Sequence, residues 1–231
     1  MQTLTVLPWL DWLALLSFFA AWIGYAWFSS HGSAGRRSLL ATTNRYRHAW
    51  MLQTTARDPR MLDGLISQSL ASMPSFFSST TIIIIGGLFA VLGATQEAAN
   101  VVREIPFAAR TTTLVFDLKV LVLIGIFVYA FFRFTWSMRQ NTFVALVVAS
   151  MPPPAEFEGD SAKRELFATR AGRLAGLAAE TFNDGLRAYY FAFAVMAWFF
   201  SPIALMASTA FVVVILYSRE FRSEVLELLN A

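Results

Sequence analysis

The sequence predicts an all-α integral membrane protein with four transmembrane helices and two cytoplasmic amphipathic helices. Three observations carry this expectation. Four apolar blocks, at 4–28, 76–94, 113–132 and 188–217, are each long enough to cross a bilayer core of ~30 Å, which takes ~20 helical residues. The chain of 231 residues is 57% hydrophobic and 14% charged, with a mean hydropathy of +0.55, whereas soluble domains average about 45–50% apolar and ~25% charged residues. The basic residues crowd into two of the connecting segments.

The first block has no Lys or Arg ahead of it and is too long for a signal-peptide core. The expectation is a retained helix with the N-terminus outside. Segment 29–73 carries Arg36, Arg37, Arg45, Arg47, Arg57 and Arg60, which marks it as cytoplasmic. Within it, Tyr46 and Trp50 are i, i+4 neighbours and share a helix face. Asp58-Pro59 reads as a helix start, with Asp58 as N-cap and Pro59 in the first turn. Met61, Leu62, Leu65, Ile66, Leu70 and Met73 then recur at helical spacing, with Asp63, Ser67 and Gln68 on the opposite face. This is the first amphipathic helix, expected on the membrane surface or against another cytoplasmic helix.

The second block opens on hydroxyls and carries Gly86-Gly87 near its middle, a surface suited to close helix approach. The third block extends past its apolar core through 136–148, and Met151-Pro152-Pro153-Pro154 ends that helix. Segment 136–187 holds Arg139, Lys163, Arg164, Arg170, Arg173 and Arg187 and is the second cytoplasmic segment. Its amphipathic helix, 161–187, repeats Phe167, Ala171, Leu174, Ala178 and Phe182, and carries a small-residue face with Gly172-x-x-x-Gly176. That face is expected against the 61–73 helix or a neighbouring subunit. The fourth block would be ~45 Å long as one helix. Pro202 near its middle predicts a kinked span. The alternative is a re-entrant hairpin at Ser201-Pro202, which would return the C-terminus to the cytoplasm.

Several functions are excluded or disfavoured. There is no cysteine, so disulfides, thiolate metal sites and cysteine nucleophiles are absent. No metal or other cofactor is expected, His31 and His48 being the only histidines. The basic residues follow membrane topology, so the pI near 9.5 gives no sign of a nucleic-acid partner. No H-E-x-x-H, G-x-S-x-G or P-loop motif is present, and the chain is read as a non-enzyme.

The candidate lining of a pore or substrate path is Ser78, Ser79, Thr80 and Thr81 with Asp117 and Lys119, because hydroxyls and ionisable groups within a span turn toward a bundle interior or a wet cavity. Helix packing is the alternative for the hydroxyls, and an interfacial position for Asp117 and Lys119. Asp11 in the first span could contribute. Arg133, Arg139, Asn183 and Arg187 are the candidate cytoplasmic mouth, against the plainer reading of two interfacial anchors.

Three stretches carry a resemblance. They are Phe132-Arg133-Phe134-Thr135-Trp136-Ser137-Met138-Arg139-Gln140, the run from Phe76 through Gly87, and Asn183-Asp184-Gly185-Leu186-Arg187-Ala188-Tyr189-Tyr190-Phe191-Ala192. Together they resemble an uncharacterised, mainly bacterial membrane family known as domain of unknown function 599. The resemblance implies a multi-span protein of the bacterial inner membrane, no established activity and no catalytic residues. The expected partners are the lipid bilayer and either further copies of the chain or a larger membrane complex. The two functional expectations are a channel or transporter for an ion or small solute, and a non-catalytic accessory or scaffold subunit.

Overall fold

The computed structural model describes residues 7–30, 38–104 and 112–230, and these are helical with no strand among them. The helices are α1 (Trp9–Ser30), α2 (Leu39–Thr54), α3 (Met61–Gly93), α4 (Thr95–Glu104), α5 (Thr113–Ala149), α6 (Ser161–Met196), α7 (Pro202–Phe221) and α8 (Glu224–Asn230). Single 3-10 turns at Pro154–Phe157 and Ala197–Phe199 precede α6 and α7. Among the described residues, four segments are long and apolar enough to cross a membrane: Trp9–Ser29, Met61–Gly93, Thr113–Ala149 and Pro202–Asn230.

The main core joins α1, α5, α6 and α7 through Phe18, Ala130, Phe134, Phe191, Val195, Trp198 and Leu205, all almost fully buried. An aromatic stack of Phe77, Phe134, Phe182 and Tyr189 ties α3 to α5 and α6. Gly185 is required there. A Cβ at that position would stand 2.5 Å from Cε1 of Phe134, a ring with no exposure and no room to yield.

The third block behaves as its sequence indicates. α5 runs unbroken to Ala149, with Ser150 as C-cap ahead of three prolines that cannot continue a helix. Thr112 caps its start, accepting from Val115 N.

The fourth block does not. Residues 188–217 are divided between two helices, so the kinked single span gives way to a reversal. α6 closes in the 3-10 turn Ala197–Phe199. Ser201 then adopts extended backbone (φ −165, ψ 159), its Oγ accepts from Ala204 N at 3.0 Å, and Pro202 takes the first turn of α7. A Ser-Pro pair is thus an N-cap with a preorganised N1 residue, which starts a new helix rather than bending an old one. α7 returns along α6: Ser208 Oγ donates to Ala194 O at 3.0 Å, and Arg219 reaches the Tyr190 hydroxyl. The C-terminus ends against α2, where Leu40 N donates to Glu220 Oε1 (3.1 Å) and Tyr46 OH donates to Leu229 O (3.0 Å). The two arms of this reversal extend beyond the apolar block, since α6 begins at Ser161 and α7 continues to Phe221.

Three further expectations need correction. The 61–73 helix is not separate, since α3 continues from it through Pro74. Nor does Pro59 open it: the helix begins at Met61, after a cis Asp58–Pro59 bond. Its polar side points inward, with Asp63 and Ser67 buried, while Met61 is 74% exposed. The reason is α2 and the turn after it: Asp63 Oδ1 accepts from Trp50 Nε1 (2.7 Å) and Thr54 Oγ1 (2.9 Å) of α2, and from Arg57 (2.9 Å) in the turn. A buried carboxylate held by charge-assisted hydrogen bonds outweighs the preference of Met61 and Leu65 for an interior. The small-residue face of α6 also packs on α2. A Cβ at Gly172 would come within 2.9 Å of His48 Cα, and one at Gly176 within 2.9 Å of Asn44 Oδ1.

Candidate functional site

Two charged centres lie along the paired helices α5 and α6. At the reversal, Lys119 of α5 is 1% exposed, and its Nζ donates to Trp198 O at 2.8 Å. The last carbonyls of a helix have no partner within it and carry the negative end of its dipole. Lys119 therefore closes the end of α6. Its ammonium also lies 5.2 Å from the Trp198 ring centroid. Asp11 of α1, itself buried, accepts from Trp198 Nε1 at 2.6 Å and acts electrostatically on Lys119. One aromatic residue thus binds α1, α5 and the turn together.

Fourteen residues further along each helix, Arg133 of α5 meets Asp184 of α6, ~21 Å from the first centre at the helical rise. Asp184 also accepts from Arg187 at 3.2 Å. The Arg187 guanidinium lies over the Tyr25 ring of α1 (5.7 Å) and that of Arg133 over Tyr129 (5.9 Å). Beside this centre opens a groove of about 750 Å³ between α1, α5 and α6. Its walls are Phe19, Trp22, Ile23, Val122, Ile126 and Tyr129, and Gly125 forms an open stretch in which an added Cβ meets nothing within 4 Å. Glu180, Asp184 and Arg187, at i, i+4 and i+7 on one face of α6, form its polar end together with nearby Trp27. An apolar cavity with a few convergent polar groups at one end is the usual form of a small-molecule site.

The sequence-derived residues fall in different places. Ser78 and Thr81 face inward, and Thr81 shares a 2.7 Å hydrogen bond with the Tyr189 hydroxyl. Ser79 faces outward, and Thr80 bonds its own helix at Phe76 O. Two faces cannot line one path. Asp117 accepts from Thr95 Oγ1 (2.8 Å) at the corner between α3 and α4, while Lys119 serves the reversal. Of the expected mouth, Arg133 and Arg187 do come together, through Asp184. Arg139 lies on the outer surface over Phe143. Asn183 lines a second cavity of about 450 Å³ with Ser137, Asn141, Arg47 and Glu220. Burial there lowers the pKa of Arg47 from its ordinary value. Glu180, Gly125 and the tryptophans of α1 were not singled out, and Asp184 stood only within the stretch 183–192. The i, i+4, i+7 spacing of the three α6 charges was the signal available for them.

Among the described residues, fold and site together define a helical protein with four segments long and apolar enough to cross a membrane, and a flank groove closed at one end by charge. The chain belongs to the family described as protein of unknown function, DUF599, whose model matches residues 13–225. No curated protein and no solved structure gives a significant match. The resemblance carried by three short stretches is therefore a membership over nearly the whole chain, in a family whose function is unknown.

Proposed function

We propose that this chain is an integral protein of the bacterial inner membrane that binds a small amphiphile from within the bilayer, without catalysis. Its N-terminus lies outside, and segments 29–73 and 136–187 lie on the cytoplasmic side. The reversal at Ser201 supports that orientation, because it moves Arg219 and Arg222 to the side where the other arginines cluster. The groove beside Glu180, Asp184 and Arg187 carries the functional reading: an apolar trough for a chain, with charge at the cytoplasmic end for a head. Ion conduction is less well supported, since the hydroxyl run is split and Asp117 and Lys119 serve helix corners. Movement of the bound amphiphile between leaflets, as a transporter of a small solute, is compatible with this site.

The test uses Trp22 and Trp27 as reporters. Protein reconstituted in liposomes should show saturable quenching of tryptophan fluorescence by an amphiphile with a brominated chain. Gly125→Leu, which fills the trough, should remove the saturable part. Identical linear quenching in both proteins would sink the proposal. Ion flux through the wild type that disappears in Asp117→Asn would restore the conducting path.

A second reading, an accessory or scaffold subunit, is supported by the outer flank of α3. There Gly86 and Gly87 have open space where a side chain would stand, beside exposed Ile82, Ile83 and Phe89. A stoichiometric partner in a gently solubilised preparation would favour this reading; a homogeneous homo-oligomer would weaken it.

A further inference from the structure

We infer that the groove holds an ethanolamine-headed phospholipid of the cytoplasmic leaflet, with its ammonium at Glu180 and its phosphate at Arg187. The inference rests on the membrane-embedded reading given above and names the ligand of that same site.

The order of charges along α6 is the first argument. The helix runs from the cytoplasmic side toward the reversal, so Glu180 is outermost, then Asp184, then Arg187. Helical side chains tilt toward their N-terminus, and Arg187 does so, reaching back to Asp184. Its guanidinium therefore lies about one turn, ~5.4 Å, from the level of Glu180. An ethanolamine phospholipid of this leaflet carries its ammonium outermost and its phosphate two carbons deeper, next to the glycerol. Acid outside and base inside is the complementary order. The acyl chain then runs down the trough past Tyr129, Trp22 and Ile126.

Charge balance is the second argument. Arg133 and Arg187 share Asp184, and Glu180 brings this set of four side chains to neutrality. Among the described residues, no ion pair or hydrogen bond engages the Glu180 carboxylate, although it is partly buried at the lip of the groove. A neutral zwitterion satisfies both ends. A glycerol head carries the same phosphate charge but offers Glu180 only neutral hydroxyls, so one negative charge at the lip stays uncompensated. A choline head is cationic but has no N–H to donate.

The experiment is native mass spectrometry of the protein released from vesicles of phosphatidylethanolamine, phosphatidylglycerol and phosphatidylcholine in equal parts. A charge-assisted hydrogen bond at Glu180 should enrich the ethanolamine adduct about tenfold over the choline adduct. Glu180→Gln, at an unpaired and partly exposed position, should keep the wild-type melting temperature and bring that ratio to parity. Gly125→Leu should lose all three adducts together. Parity or a glycerol preference in the wild type, or an ethanolamine preference that survives Glu180→Gln, overturns the headgroup assignment. If brominated-chain quenching still saturates in those cases, the amphiphile site itself stands. Adducts retained in full by Gly125→Leu overturn the groove as the binding place.

Discussion

The two charged centres of the α5–α6 pair use similar residues for opposite ends. At the reversal, Lys119, Asp11 and the Trp198 indole are all buried, and each has a partner that the fold itself provides. At the other centre, Arg133 and Arg187 divide one carboxylate, Glu180 has none of the cations, and a groove opens beside them. Ionisable residues in an apolar helix are costly in either setting. What separates structure from function is whether the surrounding chain completes their bonding. The closed centre does so by capping a helix end, and the open centre leaves a carboxylate facing a cavity.

This contrast can be broken most forcefully at the closed centre. Lys119→Met removes the cap on Trp198 O and leaves a buried carbonyl without its charged donor, at a cost of about 2–3 kcal/mol. The melting temperature in detergent should fall clearly; a wild-type value would mean that Lys119 is not structural. Between the centres, Gly185→Ala drives a methyl into the Phe134 ring and should cost about 2 kcal/mol by overpacking. Denaturant titration would measure this loss, and an unchanged midpoint would show that the aromatic stack can shift.

At the open centre the sign should reverse. At Gly125 an added Cβ meets nothing within 4 Å, and Gly125→Leu replaces a poor helix former, so stability should hold or rise by up to ~1 kcal/mol. Amphiphile quenching should nonetheless be lost. A variant that loses stability and binding together would erase the distinction between the two centres. The smallest effect belongs to Thr81→Val, which removes the hydrogen bond to Tyr189 and should cost about 1 kcal/mol. Amphiphile binding should stay at the wild-type level, and a binding loss larger than the stability loss would return the hydroxyl run to the candidate site.

Much of the architecture was legible because apolar length and proline placement are local properties. α5, its extension and its stop at three prolines follow from composition and backbone chemistry alone. The reversal at Ser201 was legible in principle, since Ser-Pro is an N-cap signal, but block length argued for a single kinked span. The site was legible only in pieces. Arg133 and Arg187 stood out as interfacial arginines, but that Asp184 joins them depends on how α5 packs against α6. Lys119 looked like a residue of a path because the helix end that it caps belongs to a segment 79 residues away.

By itself, the sequence determined the helical class, the apolar segments and the uneven distribution of arginines, since each depends on composition within a window of one helix. The tertiary structure decided the inward turn of Asp63, the packing of Gly172 and Gly176 on α2, the capping role of Lys119 and the charge-lipped groove. All of these depend on which distant donor, backbone or carbonyl lies opposite, and that pairing exists only once the helices have packed.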